Sequence, residues 1–256
     1  MPLPRRPRNP WPAYLGAAAL LLSLMVWHLG LSLDTLIAGA GDMAEYLGRY
    51  RQPDFTQLPR YLGLMGQTLA IALWGTVIAA VIGGLLGPLA ARNLAPSPAL
   101  FRAARELLNF MRAMPDLLMA LIFVAALGLG PFPGALAIGI HSAGFLGKFF
   151  AESMERVDAG VYEALAATGA TRSQQVMYGA WPSVLREAVG FTAYIFDRNV
   201  RMASVLGLVG AGGIGRALHE TLRFFDYPQS AALIAVLLVT IVTIDQLSTW
   251  LREKLT

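Results

Sequence analysis

Long apolar stretches alternate with short polar ones along this chain. The alternation predicts six helices crossing a bilayer, at residues 14–33, 68–93, 107–129, 135–150, 184–209 and 230–250, since about 18 or more apolar residues in a helix suffice to span the hydrocarbon. Residues 34–60 are polar and of mixed charge, and read as the one long loop outside the bilayer. Residues 128–134, Gly-Leu-Gly-Pro-Phe-Pro-Gly, read as a tight turn with no room for a domain. Gly83 and Gly87 in the second span form a GxxxG pair, which lets another helix approach closely. Ala38-Gly39-Ala40 resembles a signal cleavage site and leaves a cleaved leader as a rival reading of the first span. The apolar run exceeds the roughly 7–15 residues of a signal core, so a span is the better reading.

The polar segment 163–182 lies between the fourth and fifth spans. Its pattern predicts a helix, a glycine bend and a second helix lying flat between the spans. Gly169 stops the first helix in a left-handed C-cap. Thr171 caps the second, with Gln174 closing a capping box. Pro182 ends that second helix, since it lacks an N–H and disfavours helix in the residue before it.

Composition adds compartment and sidedness. The chain is 56% hydrophobic and 14% charged, which places it among all-α integral membrane proteins without a sizeable soluble domain. Absence of cysteine removes a disulfide framework and any thiolate metal site. The net charge of +4 matters less than its placement. Six spans put both termini on one side. With them go the Arg5, Arg6 and Arg8 tail, the Arg92, Arg102, Arg105 and Arg112 cluster, and the 163–182 segment. That side holds thirteen of the 20 basic residues, so the positive-inside rule makes it cytoplasmic. Lys148, near the end of the fourth span, can snorkel to the interface.

Charges within the apolar zone mark candidate chemistry. Phe196-Asp197-Arg198-Asn199-Val200-Arg201 interrupts the fifth span. A charge at the bilayer centre costs about 2.5–3.5 kcal/mol or more, so it faces a partner or an aqueous path. Asp197 and Arg201 suit an i, i+4 pair, which leaves Arg198 uncompensated. Either the group is structural, or its excess positive charge meets an anionic substrate. The run from Gly207 to Gly215 formally satisfies GxGxxG at Gly210, Gly212 and Gly215. Without a surrounding βαβ unit or a suitably placed acidic residue, a dinucleotide site is rejected. Together with Gly213, these glycines predict a broken helix whose exposed backbone lines a cavity and whose free N–H groups suit an oxyanion; a flexible turn is the simpler alternative. Asp245, Ser248 and Arg252 share one face of the sixth span as a polar cluster. Asp116 is a helix-start charge or a gate residue. His28, His141 and His219 are scattered without metal-ligand spacing.

Two resemblances narrow the function. The segment Glu163-Ala164-Leu165, then Gly169, then Gly179 to Pro182, resembles the EAA loop of ABC importer permeases: Glu-Ala-Ala, three residues, Gly, nine residues, Ile-x-Leu-Pro. Glu163, Ala164, Gly169 and Pro182 match; Leu165 replaces the second Ala, Gly179 the Ile and Trp181 the Leu. In that family the loop is a coupling helix docked on a separate ATPase. The blocks 112–116, 128–131, 141–144, 146–148 and 205–215, in that order, are similar to the phosphonate permease family (PhnE type) from about Thr68 onward. The glycine run alone also occurs in methionine-type permeases.

The resemblance implies a type I ABC importer permease (MetI-like) fold. Residues 1–60 would carry the tail, first span and extracytoplasmic loop, and residues 61–256 the permease domain. It further implies a bacterial inner-membrane location and a homodimer with two ATPase subunits and one extracytoplasmic binding protein. The substrate would be a phosphonate, with phosphite or hypophosphite as alternatives. Transport would proceed by alternating access. No G-x-x-x-x-G-K-[ST] motif is present in the sequence, so ATP and Mg belong to the partner and this chain carries no cofactor. Nucleic acid is not an expected partner. A membrane enzyme would need a nucleophile or metal constellation, of which none stands out. An ATP-independent channel or carrier would have no use for the coupling loop.

Overall fold

The computed structural model describes residues 11–30 and 32–255, and every regular element among them is helical. The chain divides into two compact units, Met1–Arg51 and Gln52–Thr256. The basic tail expected at residues 1–10 lies outside the described residues.

In the first unit, α1 (Trp11–His28) carries the first apolar run. It stops short of the expected residue 33, because Gly30 turns the backbone left-handed at φ +62°. The expected loop at residues 34–60 is corrected: most of it is helix α2 (Leu33–Gly48). Ile37, Ala40, Ala44 and Leu47 recur at helical spacing. Asp34 sits favourably in the first turn, and Glu45 pairs with Arg49 at 3.0 Å near its end. Glycines and mixed charge suggested a loop, but the apolar periodicity prevails.

The second unit is built around two long helices. α3 (Leu58–Ala90) starts ten residues before the expected span, with a proline in its first turn. Its 33 residues reach about 50 Å. α6 (Pro131–Glu155) packs along it. The GxxxG reading holds here. A Cβ added at Gly83 would lie 2.8 Å from the Gly147 nitrogen, and one at Gly87 would lie 3.0 Å from Phe150 Cβ. Such backbone proximity requires small residues, and van der Waals contact is what joins helices in lipid.

The expected third span, 107–129, is corrected to two helices. α4 (Pro98–Ala113) and α5 (Asp116–Leu127) meet at an angle of 87°. Pro115 holds Met114 in extended geometry (φ −70°, ψ 121°). Asp116 opens α5 as a helix-start charge and accepts from the Leu117 N–H at 2.9 Å. α4 rests on α6 at Gly144, where a Cβ would meet Leu108 O and Arg112 N at 2.7 Å.

Beyond α6 come the short α7 (Ala159–Ala167) and α8 (Arg172–Gln174), a π-helical segment Gln175–Ala180, and α9 (Trp181–Leu206). A 3₁₀ turn Gly207–Val209 leads to α10 (Gly213–Arg223), which the hydropathy pattern did not anticipate, and then to α11 (Tyr227–Leu255). Among the described residues α3, α6 and α11 are each long and apolar enough to cross a membrane; α4 and α5 reach that length only if taken together across their bend. α9 has 26 residues but is interrupted by charge.

Candidate functional site

The 163–182 segment folds from its caps outward. Asp158 accepts from the Gly160 N–H at 2.7 Å and starts α7. α7 ends in a Schellman motif. Ala170 N–H donates to Leu165 O at 3.2 Å, Gly169 N–H donates to Ala166 O at 2.9 Å, and Gly169 takes φ +82°. The Thr171–Gln174 capping box is present, its backbone N–H to Gln174 Oε1 bond at 2.7 Å. The expected role of Pro182 is corrected. It does not end the helix, which runs from α8 through the π segment into α9 without a break. Wider π turns accommodate a ring and a missing N–H that a regular α turn would not.

Glu163, Ala164, Gly169 and Pro182 are all exposed. The limbs behind them are packed. A Cβ at Gly179 would meet Leu165 Cδ1 at 2.8 Å and Val161 Cγ1 at 3.5 Å. Two of the three departures from the EAA pattern therefore compensate: a larger residue at 165 fills space that glycine leaves at 179. The segment is moored at several points. Tyr162 Oη donates to Met154 O at 3.0 Å, and burial pushes its phenol pKa up. Arg172 Nη1 donates to Ala95 O at 2.6 Å, and Arg156 pairs with Glu187 at the foot of α9.

The charged residues of α9 form a layered site. Asp197, buried, pairs with Arg201, which reaches outward. Among the described residues Arg198 has no carboxylate partner. Its Nη2 donates to His141 Nε2 at 2.9 Å, and its guanidinium lies 4.7 Å from the Phe145 ring centroid. Arginine only donates, so His141 Nε2 accepts and its Nδ1 carries the proton to Met114 O at 2.8 Å. His141 thus ties the α4–α5 bend to Arg198. Arg112, at the end of α4, faces the same Phe145 ring at 5.6 Å. Arg198 Nη1 and Asp197 Oδ1 are buried without a hydrogen-bond partner among the described residues. Asn199, fully buried, joins three helices: Ser142 Oγ donates to its Oδ1 at 2.7 Å, and its Nδ2 donates to Thr76 Oγ1 at 2.9 Å. His141, Phe145, Ser142 and Thr76 were not foreseen as parts of this group. Their signal in the sequence is weak, because each is common in an apolar helix.

The glycine run breaks the helix as expected, with left-handed backbone at Gly210, Gly212 and Gly213. The expectation of exposed backbone is corrected: Gly212, Gly213 and Gly215 are buried, and Gly210 is half-buried. Two N–H groups expected to be free are occupied. Gly213 donates to Gln67 Oε1 and Ile214 to Thr68 Oγ1, both at 2.9 Å. A Cβ at Gly215 would fall 1.8 Å from Ser204 O, so close packing of α10 on α9 explains that glycine. On α11, Ser248 Oγ donates to Ala193 O at 3.2 Å and Arg252 lies over the Tyr194 ring at 6.0 Å. Among the described residues no group of three or more histidine or carboxylate side chains is placed to hold a metal ion.

The family described as "Binding-protein-dependent transport system inner membrane component" matches residues 79–256. The chain is 39% identical to a phosphite transport system permease protein, PtxC, of Stutzerimonas stutzeri, over 95% of this chain and 90% of that one. It is 40% identical to the phosphate-import permease protein PhnE of Mycolicibacterium smegmatis over 90% of this chain; the match spans only 43% of that longer relative. Among solved structures, an inward-facing MetNI methionine ABC transporter superposes with a TM-score of 0.65 at 19% identity, covering 79% of this chain and 98% of that one. At that identity the likeness concerns the fold alone.

Proposed function

Since the chain belongs to the family of binding-protein-dependent transport inner-membrane components, we propose that it forms the membrane path of an ABC importer for a phosphorus oxyanion, phosphite or a phosphonate. It is a transport subunit and not an enzyme; ATP and Mg bind a separate ATPase. A second copy of the chain completes the path, with two ATPase subunits on the cytoplasmic face and one binding protein outside. Both termini lie in the cytoplasm. The exposed, rigidly capped turn at Gly169 carries the coupling part of this reading. Glu163, Ala164, Gly169 and Pro182 present a moored handle, and ATP-driven closure of the ATPases moves it as a rigid body.

Arg198 is the anion contact in this reading. Among the described residues it is the member of the α9 group whose buried guanidinium nitrogen lacks a partner and has no paired carboxylate. Asp197 and Arg201 set the local charge, and Asn199 holds α9 to α3 and α6. Gly210, Gly212, Gly213 and Gly215 shape the end of the path by close packing rather than by direct contact. The test is binding-protein-dependent uptake in vesicles reconstituted with the ATPase, comparing phosphite, phosphonates and phosphate. Arg198→Ala lowers uptake of the preferred anion at least tenfold while the complex still assembles. Unchanged uptake would remove Arg198 from the path, and ATP-independent uptake would end the importer reading.

A further inference from the structure

A second basic site lies away from α9, at the end where α3, α4 and the coupling segment meet. The link between α3 and α4 folds into a cleft of about 540 Å³ lined by Arg92, Asn93, Ser97, Phe101, Arg102 and Arg172. No carboxylate lines it, and among the described residues none pairs with Arg92, Arg102 or Arg172. Glu155, which lines an adjoining cavity with Arg92 and Asn93, is taken by Arg105 at 3.0 Å and by the Arg92 N–H at 2.7 Å. Three guanidiniums around a concave pocket suit a phosphate group. Arg172 reaches this cleft from the coupling segment itself.

The helix beside the cleft says where that phosphate comes from. α4 has three faces. Ala104 and Leu108 are buried against the fold. Leu100, Ala103, Leu107 and Phe110 form an exposed apolar stripe at i, i+3, i+7, i+10. Arg102, Arg105, Asn109 and Arg112 form a polar stripe with the same spacing. The axis turns 87° from apolar α5. If α5 follows the membrane normal, α4 lies in the membrane plane with its apolar stripe towards acyl chains. A short helix with basic and apolar faces is the build of an interfacial element.

We propose that the cleft between the α3–α4 link and α8 holds the phosphate of an anionic phospholipid from the cytoplasmic leaflet, whose acyl chains lie along the exposed stripe of α4. The assignment rests on the cytoplasmic placement given above. Anionic lipid then contacts the coupling segment through Arg172, so leaflet charge bears on the position of the handle.

The experiment is native mass spectrometry of the purified full chain, titrated separately with dioctanoyl phosphatidylglycerol, dioctanoyl phosphatidylcholine and inorganic phosphate. Phosphatidylglycerol is expected to bind in preference to phosphatidylcholine and to resist displacement by phosphate. Arg92→Gln with Arg102→Gln weakens it about 25-fold, each arginine being worth about fivefold at an anionic surface. Arg92→Lys with Arg102→Lys retains binding. Should the double glutamine variant fail to accumulate, the exposed Arg102→Gln alone supplies the comparison. Equal binding of the two lipids overturns the proposal. Phosphate binding as tightly as phosphatidylglycerol overturns it in favour of a free oxyanion site. Loss of co-purified ATPase with lipid binding intact also overturns it, making the cleft a protein interface. The readout needs neither substrate nor transport, so failure of the importer reading leaves it legible.

Discussion

Leu165 and Gly179 show how one residue choice conditions another. Gly179→Ile drives a side chain into Leu165, and Leu165→Ala leaves a void behind Gly179. The double variant is predicted to recover most of the loss of either single one, with a coupling of about 1–3 kcal/mol in thermal unfolding of the purified chain. Additive losses would show that the two limbs do not bear on each other. Asn199 is the corresponding polar case. Asn199→Leu strips partners from the buried Ser142 and Thr76 hydroxyls and should cost about 1–3 kcal/mol in the same measurement. An unchanged melting temperature would deny Asn199 its structural role. The sequence exposed the charges of α9 and the imbalance at Arg198. It did not expose His141 as the partner, because 57 positions separate the two residues and only packing brings them to 2.9 Å.

At the scale of elements, Gly169 separates strain from sterics. A Cβ there meets nothing within 4 Å, yet φ is +82°. Gly169→Asn is therefore predicted to be near neutral, because asparagine tolerates left-handed backbone. Gly169→Val costs about 1–2 kcal/mol locally and lowers substrate-stimulated ATP hydrolysis by the assembled complex. Equal hydrolysis by the two variants would mean that the shape of the turn is irrelevant to coupling. The α3–α6 contact is different in kind. Gly83→Leu collides with backbone, and the chain should fail to accumulate in the membrane; normal accumulation on immunoblots would contradict the packing. The caps of α7 and α8 were legible because they depend on neighbours within five residues. The bend at Pro115 was signalled by a proline, but hydropathy alone ran α4 and α5 together.

For the whole molecule, the absence of cysteine offers a direct test of sidedness. Ala164→Cys, exposed on α7, is predicted to react with an impermeant maleimide only in inside-out vesicles and to be shielded once the ATPase binds. Labelling in right-side-out vesicles would reverse the orientation and remove the coupling segment from the ATPase. The family match over residues 79–256 and the superposition, which covers 79% of the chain, agree with the all-helical fold.

Local order along the chain determined what hydropathy, caps and prolines can encode: a helical membrane protein, a capped polar hairpin near residue 169, and an uncompensated arginine in α9. Those signals act over a few residues and survive without a partner. Only the tertiary structure decided that Gly212, Gly213 and Gly215 are buried, that the Gly213 and Ile214 N–H groups belong to Gln67 and Thr68, and that Arg198 rests on His141 and Phe145. Hydrogen-bond donors and close-packed glycines look alike in a sequence whether they face solvent, ligand or another helix. Which of these they meet depends on distances between segments far apart along the chain.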